Sequence, residues 1–450
     1  MTTIGVGAPK TLVRAYRSSI FGAPRFVLPR RWWRSNPFLL LGGMLIGVLL
    51  CEVGLRMADI SYPSLYQFDA DVGASLRPGG EGWFNKEGRA YIRINSAGLR
   101  DREHARAKPP HTFRIVVLGD SYAEALQVPM EETFWSVLER QLKGCPALAG
   151  REPEVINFGV SGYGTAQELL MLSHRVWPYN PDIVLLAFFT GNDVRNNSRV
   201  LEQDDLRPYY VFQNGELVPD LNFRDSSQFR FEQTWLGEWR HRILNTSRVY
   251  QVYGHAKAIL KANSAQRRAP SFGVQEANAA NSADSNPGVK SWDGVAEAGL
   301  DSMVYREPRD PVWKEAWEVT EGLVVHMRDE VKEKGAEFLV VTASTGPQVH
   351  PDVAVRQSFE KRLGVTHLFY PDLRIRDLGE RKDFAVLNLA PHFQTYAVQH
   401  RVFLHGFENS VIGTGHWNKE GHRLAGELIA SKLCSDVLRK APSRSQVAQR

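Results

Sequence analysis

The sequence predicts an α/β fold in which a five-stranded parallel sheet lies between two layers of helices, as a three-layer sandwich. Five short apolar runs alternate with longer amphipathic segments along the chain, and this alternation is typical of a parallel sheet covered on both faces. A further apolar run follows a basic N-terminal leader. Its length and composition predict one transmembrane helix ahead of the sheet.

The five predicted strands are continuous runs rich in Val, Ile, Leu and Phe, which indicates burial on both faces. They are Phe113–Leu118, Glu154–Gly159, Asp182–Phe189, Ala336–Ala343 and Phe384–Leu389. The predicted helices carry apolar residues at helical spacing. They are Glu132–Leu142, Thr165–Trp177 with Thr165 as its cap, a stripe from Trp313 to Val331, and Lys419–Leu433. Turn-rich sequence over residues 60–110 predicts hairpins before the first strand.

The positive charge of the chain is concentrated at its N-terminus. Residues 1–50 contain no Asp or Glu and seven basic residues, namely Lys10, Arg14, Arg17, Arg25, Arg30, Arg31 and Arg34. Subtracting these seven from the formal net charge of +5 leaves −2 for the other 400 residues. The folded part is therefore nearly neutral, and its charge gives no indication of nucleic-acid binding.

The apolar run Pro37–Cys51, extended slightly by Val53 to Leu55, is just long enough to span a bilayer as a helix. Basic residues precede it, which predicts a cytoplasmic leader over 1–36, a single-pass anchor over 37–57 and a large domain over 60–440 on the periplasmic side. A cleaved signal peptide, a buried helix and an organellar transit peptide are the alternatives.

The strand–helix alternation breaks between about residues 196 and 310, which we interpret as an insertion and a candidate lid. The stretch SRVYQVYGHAKAILKA within it predicts a helix. The segment Ala262–Ala298 is rich in Ala, Ser and Asn, and this composition predicts flexibility.

Four short motifs follow predicted strands or precede a helix. The first strand runs into Gly119-Asp120-Ser121, the second into NFGVSGYGT over residues 157–165, and the third into TGNDVRNN over 190–197. The sequence GTGHWNKEGH, which contains His416, precedes the last helix. Because functional residues collect at the carboxyl ends of parallel strands, these motifs are expected to meet at one edge of the sheet.

These motifs, in this order and on this frame, resemble the SGNH (GDSL) hydrolase superfamily, and in particular its exported, N-terminally anchored members. The resemblance covers roughly residues 110–195 and 335–435. It implies that Ser121 is the nucleophile and His416 its general base. It also implies that the Gly162 backbone N–H and the Asn192 side chain bind the oxyanion of the acyl-transfer intermediate. No metal or organic cofactor is implied.

The triad acid is missing from the place where the superfamily usually has it. An Asp is expected three residues before the histidine, where this chain has Gly413, and the next residue is Thr414. Either a Ser–His dyad operates, or an acid arrives from elsewhere in the chain. Glu408 is the nearest candidate in sequence.

The preferred function is hydrolysis of an acyl ester of a glycan, lipid or small molecule through an acyl-serine intermediate. Two alternatives remain open, an O-acyltransferase that acts on a cell-envelope polysaccharide and a catalytically silent envelope-binding protein on the same fold. The sequence does not indicate an oligomeric state. Export would permit Cys145 and Cys434 to pair, and two free thiols are the alternative.

Overall fold

A computed structural model of the chain describes residues 37–62, 64–268 and 300–438. The chain divides into two compact units, one that ends at Val53 and one that begins at Gly54. The predicted basic leader, residues 1–36, lies outside the described residues.

The first unit contains most of helix α1, Pro37–Met57. Its segment Leu39–Met57 has a mean hydropathy of 1.9, and within the described ranges it is the one helix long and apolar enough to cross a membrane. Its apolar side chains are exposed, as with Leu40 and Leu50. A signal sequence near an N-terminus meets the same criteria, so the helix alone does not distinguish an anchor from a signal sequence.

Strands of two kinds follow, short antiparallel hairpins and the strands of one parallel sheet. In chain order they are β1 Tyr66–Asp69, β2 Gly73–Leu76, β3 Glu81–Phe84, β4 Ala90–Arg93, β5 Thr112–Gly119, β6 Glu152–Asn157, β7 Ile183–Phe189, β8 Tyr209–Gln213, β9 Glu216–Asp220, β10 Glu337–Ala343 and β11 Ala385–Asn388. Strand β1 pairs with β2 and β3 with β4, both antiparallel. The hairpins predicted before the sheet are therefore present.

The central sheet has the order β11-β10-β7-β5-β6, and all its neighbours are parallel. Each of its strands overlaps one of the five predicted apolar runs, with ends that differ by no more than two residues. Strands β5, β6 and β7 are adjacent, so the three loops that leave their carboxyl ends lie along the same edge. This arrangement positions the candidate site.

The α-helices that follow α1 within the described residues are α2 Ser121–Glu124, α3 Phe134–Leu142, α4 Thr165–Met171, α5 Asp193–Asn196, α6 Arg199–Glu202, α7 Ser227–Glu232, α8 Trp235–Thr246, α9 Arg248–Arg268, α10 Pro311–Glu333, α11 Gly346–Val349, α12 Val353–Leu363, α13 Tyr370–Lys382, α14 Leu389–His400 and α15 Lys419–Lys432. The predicted helix over 165–177 is α-helical only to Met171 and continues as a π-helical turn over Leu172–Val176. Its N-cap is Gly164, so the prediction of Thr165 as the cap is wrong.

Two hydrophobic cores lie on opposite faces of the sheet. Along β5, Val116 and Leu118 belong to one core, and Ile115 and Val117 to the other, because successive side chains of a strand point to opposite faces. Residues of α4, α10, α12 and α13 complete the first core, and residues of α3, α14 and α15 complete the second. The predicted three-layer α/β sandwich with a five-stranded parallel sheet is confirmed.

The predicted insertion contains regular structure that the sequence analysis missed. Strands β8 and β9 form a hairpin around Asn214 and Gly215, which both have positive φ. Helices α6 to α9 follow the third sheet strand, and α9 includes the predicted helical stretch. Residues 262–268 of the segment predicted to be flexible belong to α9, and residues 269–298 lie outside the described part of the chain.

A disulfide joins Cys145, which follows α3, to Cys434, which follows α15, with a Cα–Cα distance of 5.8 Å. The pairing that the sequence left open is therefore formed.

Candidate active site

Ser121 is the first residue of α2, immediately beyond the carboxyl end of β5. Asp120 caps this helix, since its Oδ1 accepts a hydrogen bond from the Tyr122 N–H at 2.9 Å. The turn packs tightly: a Cβ at Gly119 would lie 3.0 Å from the Ala187 carbonyl oxygen on the neighbouring strand. The strand–turn–helix unit thus presents the serine at the sheet edge.

His416 lies in the turn before α15, and its imidazole reaches Ser121. The distance from His416 Nε2 to Ser121 Oγ is 2.8 Å. Both side chains are half-buried. The two residues that the sequence analysis assigned as nucleophile and base, 295 positions apart, are therefore within hydrogen-bond distance of each other.

The acid that the sequence analysis could not find is Glu87, in the turn between β3 and β4. Its Oε2 lies 2.6 Å from His416 Nδ1, and its Oε1 accepts the His416 backbone N–H at 2.9 Å. Glu408 is exposed, and the carboxylate on His416 is that of Glu87, so the suggestion of Glu408 is wrong. An acid 329 residues from the histidine has no local sequence signal.

The carboxylate of Glu87 fixes the tautomer of His416. Burial by itself raises the pKa of Glu87, but the hydrogen bonds and charge of His416 outweigh it and hold that pKa below its usual value. An ionised carboxylate only accepts hydrogen bonds, so Nδ1 carries the ring proton and donates a hydrogen bond to Glu87. Nε2 is then free to accept the hydroxyl hydrogen of Ser121, as a general base requires.

The turn that carries His416 is held through the carbonyl oxygen of Gly415. This oxygen accepts hydrogen bonds from the Tyr122 hydroxyl at 3.0 Å and from His405 Nδ1 at 2.7 Å. Burial lowers the pKa of His405 to about 4, so the ring is neutral at pH 7 and Nε2 accepts from Ser344 Oγ at 3.0 Å. Trp417, whose role the sequence left open, is buried and donates from Nε1 to the same Ser344 oxygen.

Close packing also requires glycine at position 415. Its φ is +74°, and a Cβ built there would lie 2.1 Å from Glu87 Oε1. A side chain at 415 would therefore displace the carboxylate that contacts His416.

The two predicted oxyanion donors lie on the loops that follow β6 and β7. Gly162 is exposed with φ +79°, and a Cβ built there meets no atom within 4 Å, so its peptide borders open space. Asn192 is the N-cap residue of α5, but its side chain makes no capping hydrogen bond. The β6 loop adjoins the nucleophile turn, because Val160 N–H donates to the Gly119 carbonyl at 3.1 Å. The structure thus places both residues on loops at the sheet edge of Ser121.

Four further carboxyl groups near this edge are fully buried, namely Asp120, Glu124, Glu168 and Asp193. Burial raises the pKa of Asp120 to about 6, raises the pKa of Glu124, and raises the pKa values of Glu168 and Asp193 well above their usual range. Burial thus disfavours negative charge beside loops on which an oxyanion would have to be stabilised.

Within the described ranges, no group of three or more His, Cys, Asp or Glu residues is arranged to hold a metal ion. The groups that meet at Ser121 are its hydroxyl, the His416 imidazole and, through that imidazole, the Glu87 carboxylate.

Several solved structures resemble this fold. The acetyl xylan esterase AlAXEase is 12% identical, with 71% of this chain and 100% of that chain covered and a TM-score of 0.34. An acetylxylan esterase from Geobacillus stearothermophilus is 10% identical over 73% of this chain and 96% of its own, with a TM-score of 0.33. A GDSL-like lipase from Bacteroides thetaiotaomicron is 10% identical over 75% and 93%, with a TM-score of 0.31.

No protein-family model matches the chain, and no curated protein matches it by sequence. At TM-scores this low, the likenesses to solved structures decide neither the activity nor the substrate of the chain.

Proposed function

We propose that this chain is a serine esterase that hydrolyses an acyl ester with a Ser121–His416–Glu87 triad. The observation that carries the proposal is the unbroken relay from Ser121 Oγ to His416 Nε2 at 2.8 Å and from His416 Nδ1 to Glu87 at 2.6 Å. A buried structural serine does not require an imidazole aligned by a carboxylate, whereas a nucleophilic serine does.

The reaction proceeds in two steps. Ser121 Oγ attacks the ester carbonyl while His416 Nε2 accepts its proton, and Glu87 stabilises the resulting imidazolium. The imidazolium then protonates the departing alcohol, which leaves an acyl-serine. Water, deprotonated by His416, attacks this ester, and the acid is released as Ser121 recovers its proton. The backbone N–H groups of Ser121 and Gly162 and the amide of Asn192 stabilise the oxyanion in both steps, each donor contributing about 3–4 kcal/mol.

We further propose that α1 anchors the domain to a membrane and that the domain acts outside the cytoplasm. The basic leader ahead of an apolar helix supports this topology, and so does the Cys145–Cys434 disulfide. The substrate class is then an acylated glycan, lipid or small ester outside the cytoplasm.

The full chain in detergent allows a direct test. A fluorophosphonate probe should label Ser121, as mapped by mass spectrometry, and labelling should disappear in Ser121→Ala and fall steeply in His416→Ala. Ser435→Ala, which removes an exposed serine hydroxyl, is the matched control and should label normally. If the probe does not react with Ser121 in a folded chain, the chain is a silent binding protein and the proposal fails.

Hydrolysis of p-nitrophenyl acetate, with and without an oligosaccharide acceptor, separates the esterase from an O-acyltransferase. An esterase releases acetate at the same rate in both cases. If the acetyl group is transferred to the oligosaccharide in preference to water, the chain is an O-acyltransferase that uses the same residues, and the esterase proposal is wrong.

A further inference from the structure

Outside α1, exposed large apolar side chains concentrate in one part of the described chain. Helix α8 exposes Trp235, Leu236, Trp239 and Ile243, with exposed fractions of 67%, 51%, 56% and 45%. Two indole rings and two aliphatic chains that face outwards on one short helix are unusual for a monomeric soluble surface.

These four side chains form one face of α8. At about 100° per residue they fall within an arc of about 100° around the helix axis. Arg240 lies just beyond one edge of this arc and Arg242 just beyond the other. The guanidinium of Arg242 lies over the Trp239 ring, 5.9 Å from its centroid. Arg240 is ion-paired with Glu232, so the face is a band of apolar residues with a paired arginine at one edge and Arg242 at the other.

The opposite side of α8 packs on the protein. A Cβ at Gly237 would lie 2.7 Å from Glu232 Cα on α7, and the His241 ring packs against Phe68 of β1 at 5.9 Å. This packing determines the orientation of α8 on the protein. The fold therefore directs the apolar face outwards.

The chain that follows the anchor is bound to the C-terminal end of α8 and the start of α9. Arg56 donates to the Thr246 carbonyl at 2.7 Å, and the Tyr62 N–H donates to Gln251 Oε1 at 3.0 Å. The Tyr62 ring also stacks on His255 at 4.0 Å. These contacts lie within the second unit, which begins at Gly54. They hold α8 beside the point where the chain would leave the bilayer.

We propose that α8 docks on the bilayer surface from which the anchor emerges, with its indoles at the headgroup level and Arg242 on lipid phosphates. Trp and Tyr favour this interfacial layer, and an amphipathic helix lies in its plane with the apolar face about 5–10 Å deep. An arginine side chain such as Arg242 at the edge of the face suits an anionic surface. This docking rests on the proposed membrane anchor and goes beyond it, because it gives the domain a fixed orientation on the membrane.

Docking of α8 has a consequence for the candidate active site, because only a short stretch of chain separates the end of α1 from that site. Tyr66, four residues beyond Tyr62, donates from its hydroxyl to the Glu124 carboxylate at 2.9 Å, and Glu124 accepts the Ser161 N–H next to Gly162. The nine residues from Met57 to Tyr66 span at most about 32 Å. A docked α8 would thus hold the candidate oxyanion loop at a set height close to the membrane.

The test uses the full chain in vesicles of phosphatidylcholine and phosphatidylglycerol, with Cys51→Ser to remove the exposed free thiol. A fluorescent NBD label is attached at Ile243→Cys or at Val398→Cys. Val398 is a matched control because it is 43% exposed, against 45% for Ile243, and lies on α14, which packs in the second core. The quenchers are a nitroxide on the lipid acyl chain and iodide in the water.

Docking predicts that the lipid nitroxide lowers emission at 243 about two-fold and at 398 by no more than about a tenth. Stronger iodide quenching at 243 than at 398, without lipid quenching, would overturn the proposal. Protection of 243 from both quenchers would also overturn it, because the face would then be covered by protein, either another segment or a second copy.

A label at Met44→Cys in α1 separates the two proposals. Lipid quenching at 44 with none at 243 refutes the docking and leaves the anchor intact. Absence of lipid quenching at 44 refutes the anchor, and the docking with it.

Discussion

Replacing Glu87 by glutamine is the most direct test of the triad, because the change removes a charge and leaves the shape of the side chain unchanged. In the native site both carboxylate oxygens accept hydrogen bonds from His416, one from Nδ1 and one from the backbone N–H. An amide has one acceptor and one donor end. It cannot accept hydrogen bonds from both Nδ1 and the backbone N–H in either orientation.

Each orientation of the amide has a cost. If its NH2 faces Nδ1, the imidazole proton moves to Nε2, and the ring can no longer take the proton from Ser121. If its oxygen faces Nδ1, the NH2 opposes the His416 backbone N–H, and that half-buried donor loses its partner at a cost of about 1–3 kcal/mol. The first orientation removes the general base, which lowers kcat by about 10³–10⁴-fold, or about 4–5.5 kcal/mol.

Steady-state hydrolysis of p-nitrophenyl acetate by the full chain gives kcat and KM for the wild type, Glu87→Gln and Glu408→Gln. We expect kcat to fall by about 10³-fold or more in Glu87→Gln with little change in KM, since the lost interaction acts on the transition state. Glu408→Gln, which changes an exposed acid, should have a kcat within about two-fold of the wild-type value. If Glu87→Gln unfolds at the wild-type temperature and keeps kcat within about three-fold, the assignment of Glu87 is wrong.

Three other predictions concern the surroundings of His416. Gly415→Ala and Gly364→Ala both place a Cβ at a positive φ, and each should lower the free energy of unfolding in urea by about 1 kcal/mol. Only the Cβ of Gly415→Ala meets Glu87, so only this variant should lower kcat, by about 10²-fold. Equal activities of the two variants would contradict the packing argument. For His405, the pKa of about 4 in the fold lies below the ordinary value near 6.5, so the unfolded chain binds the extra proton between these values and stability is lost as pH falls. Between pH 6.5 and 5 the wild type should lose about 1.5 kcal/mol more than His405→Asn, and parallel losses would show that the buried ring does not titrate as expected. Asn192→Ala should lower kcat by about 10²–10³-fold with KM nearly constant, whereas a change confined to KM would remove Asn192 from the oxyanion site.

The sheet could be predicted from sequence because strands buried on both faces need continuous apolar side chains. β5 and β7 are buried along almost their whole length, and their sequences contain hardly any polar residue that would permit another interpretation. Once the strands are identified, the parallel arrangement brings their carboxyl ends to one edge. The neighbourhood of Ser121 with the loops of Gly162 and Asn192 then follows from topology alone.

Glu87 could not be predicted in the same way. It lies in a hairpin turn that is not part of the sheet, and its partner is 329 residues away, so no periodicity or spacing connects them. Gly413, where the resemblance led us to expect an acid, gave no indication of which other segment supplies one.

The β8–β9 hairpin, by contrast, had a local signal. Asn214-Gly215 stands between two runs of extended residues, and this dipeptide is the strongest short-range mark of a two-residue hairpin turn. We missed it because the search was for strand–helix alternation. An antiparallel hairpin exposed on one side does not show that pattern.

The position of Glu87 also determines where a functional piece of this protein has to begin. A shortened chain that starts at β5 would retain every strand of the sheet, the serine and the histidine, and by those features would look complete. It would lack the carboxylate that orients the imidazole, because that group belongs to the hairpins between α1 and the sheet. Those hairpins are part of the proposed catalytic site, and the latest safe cut lies ahead of Tyr66.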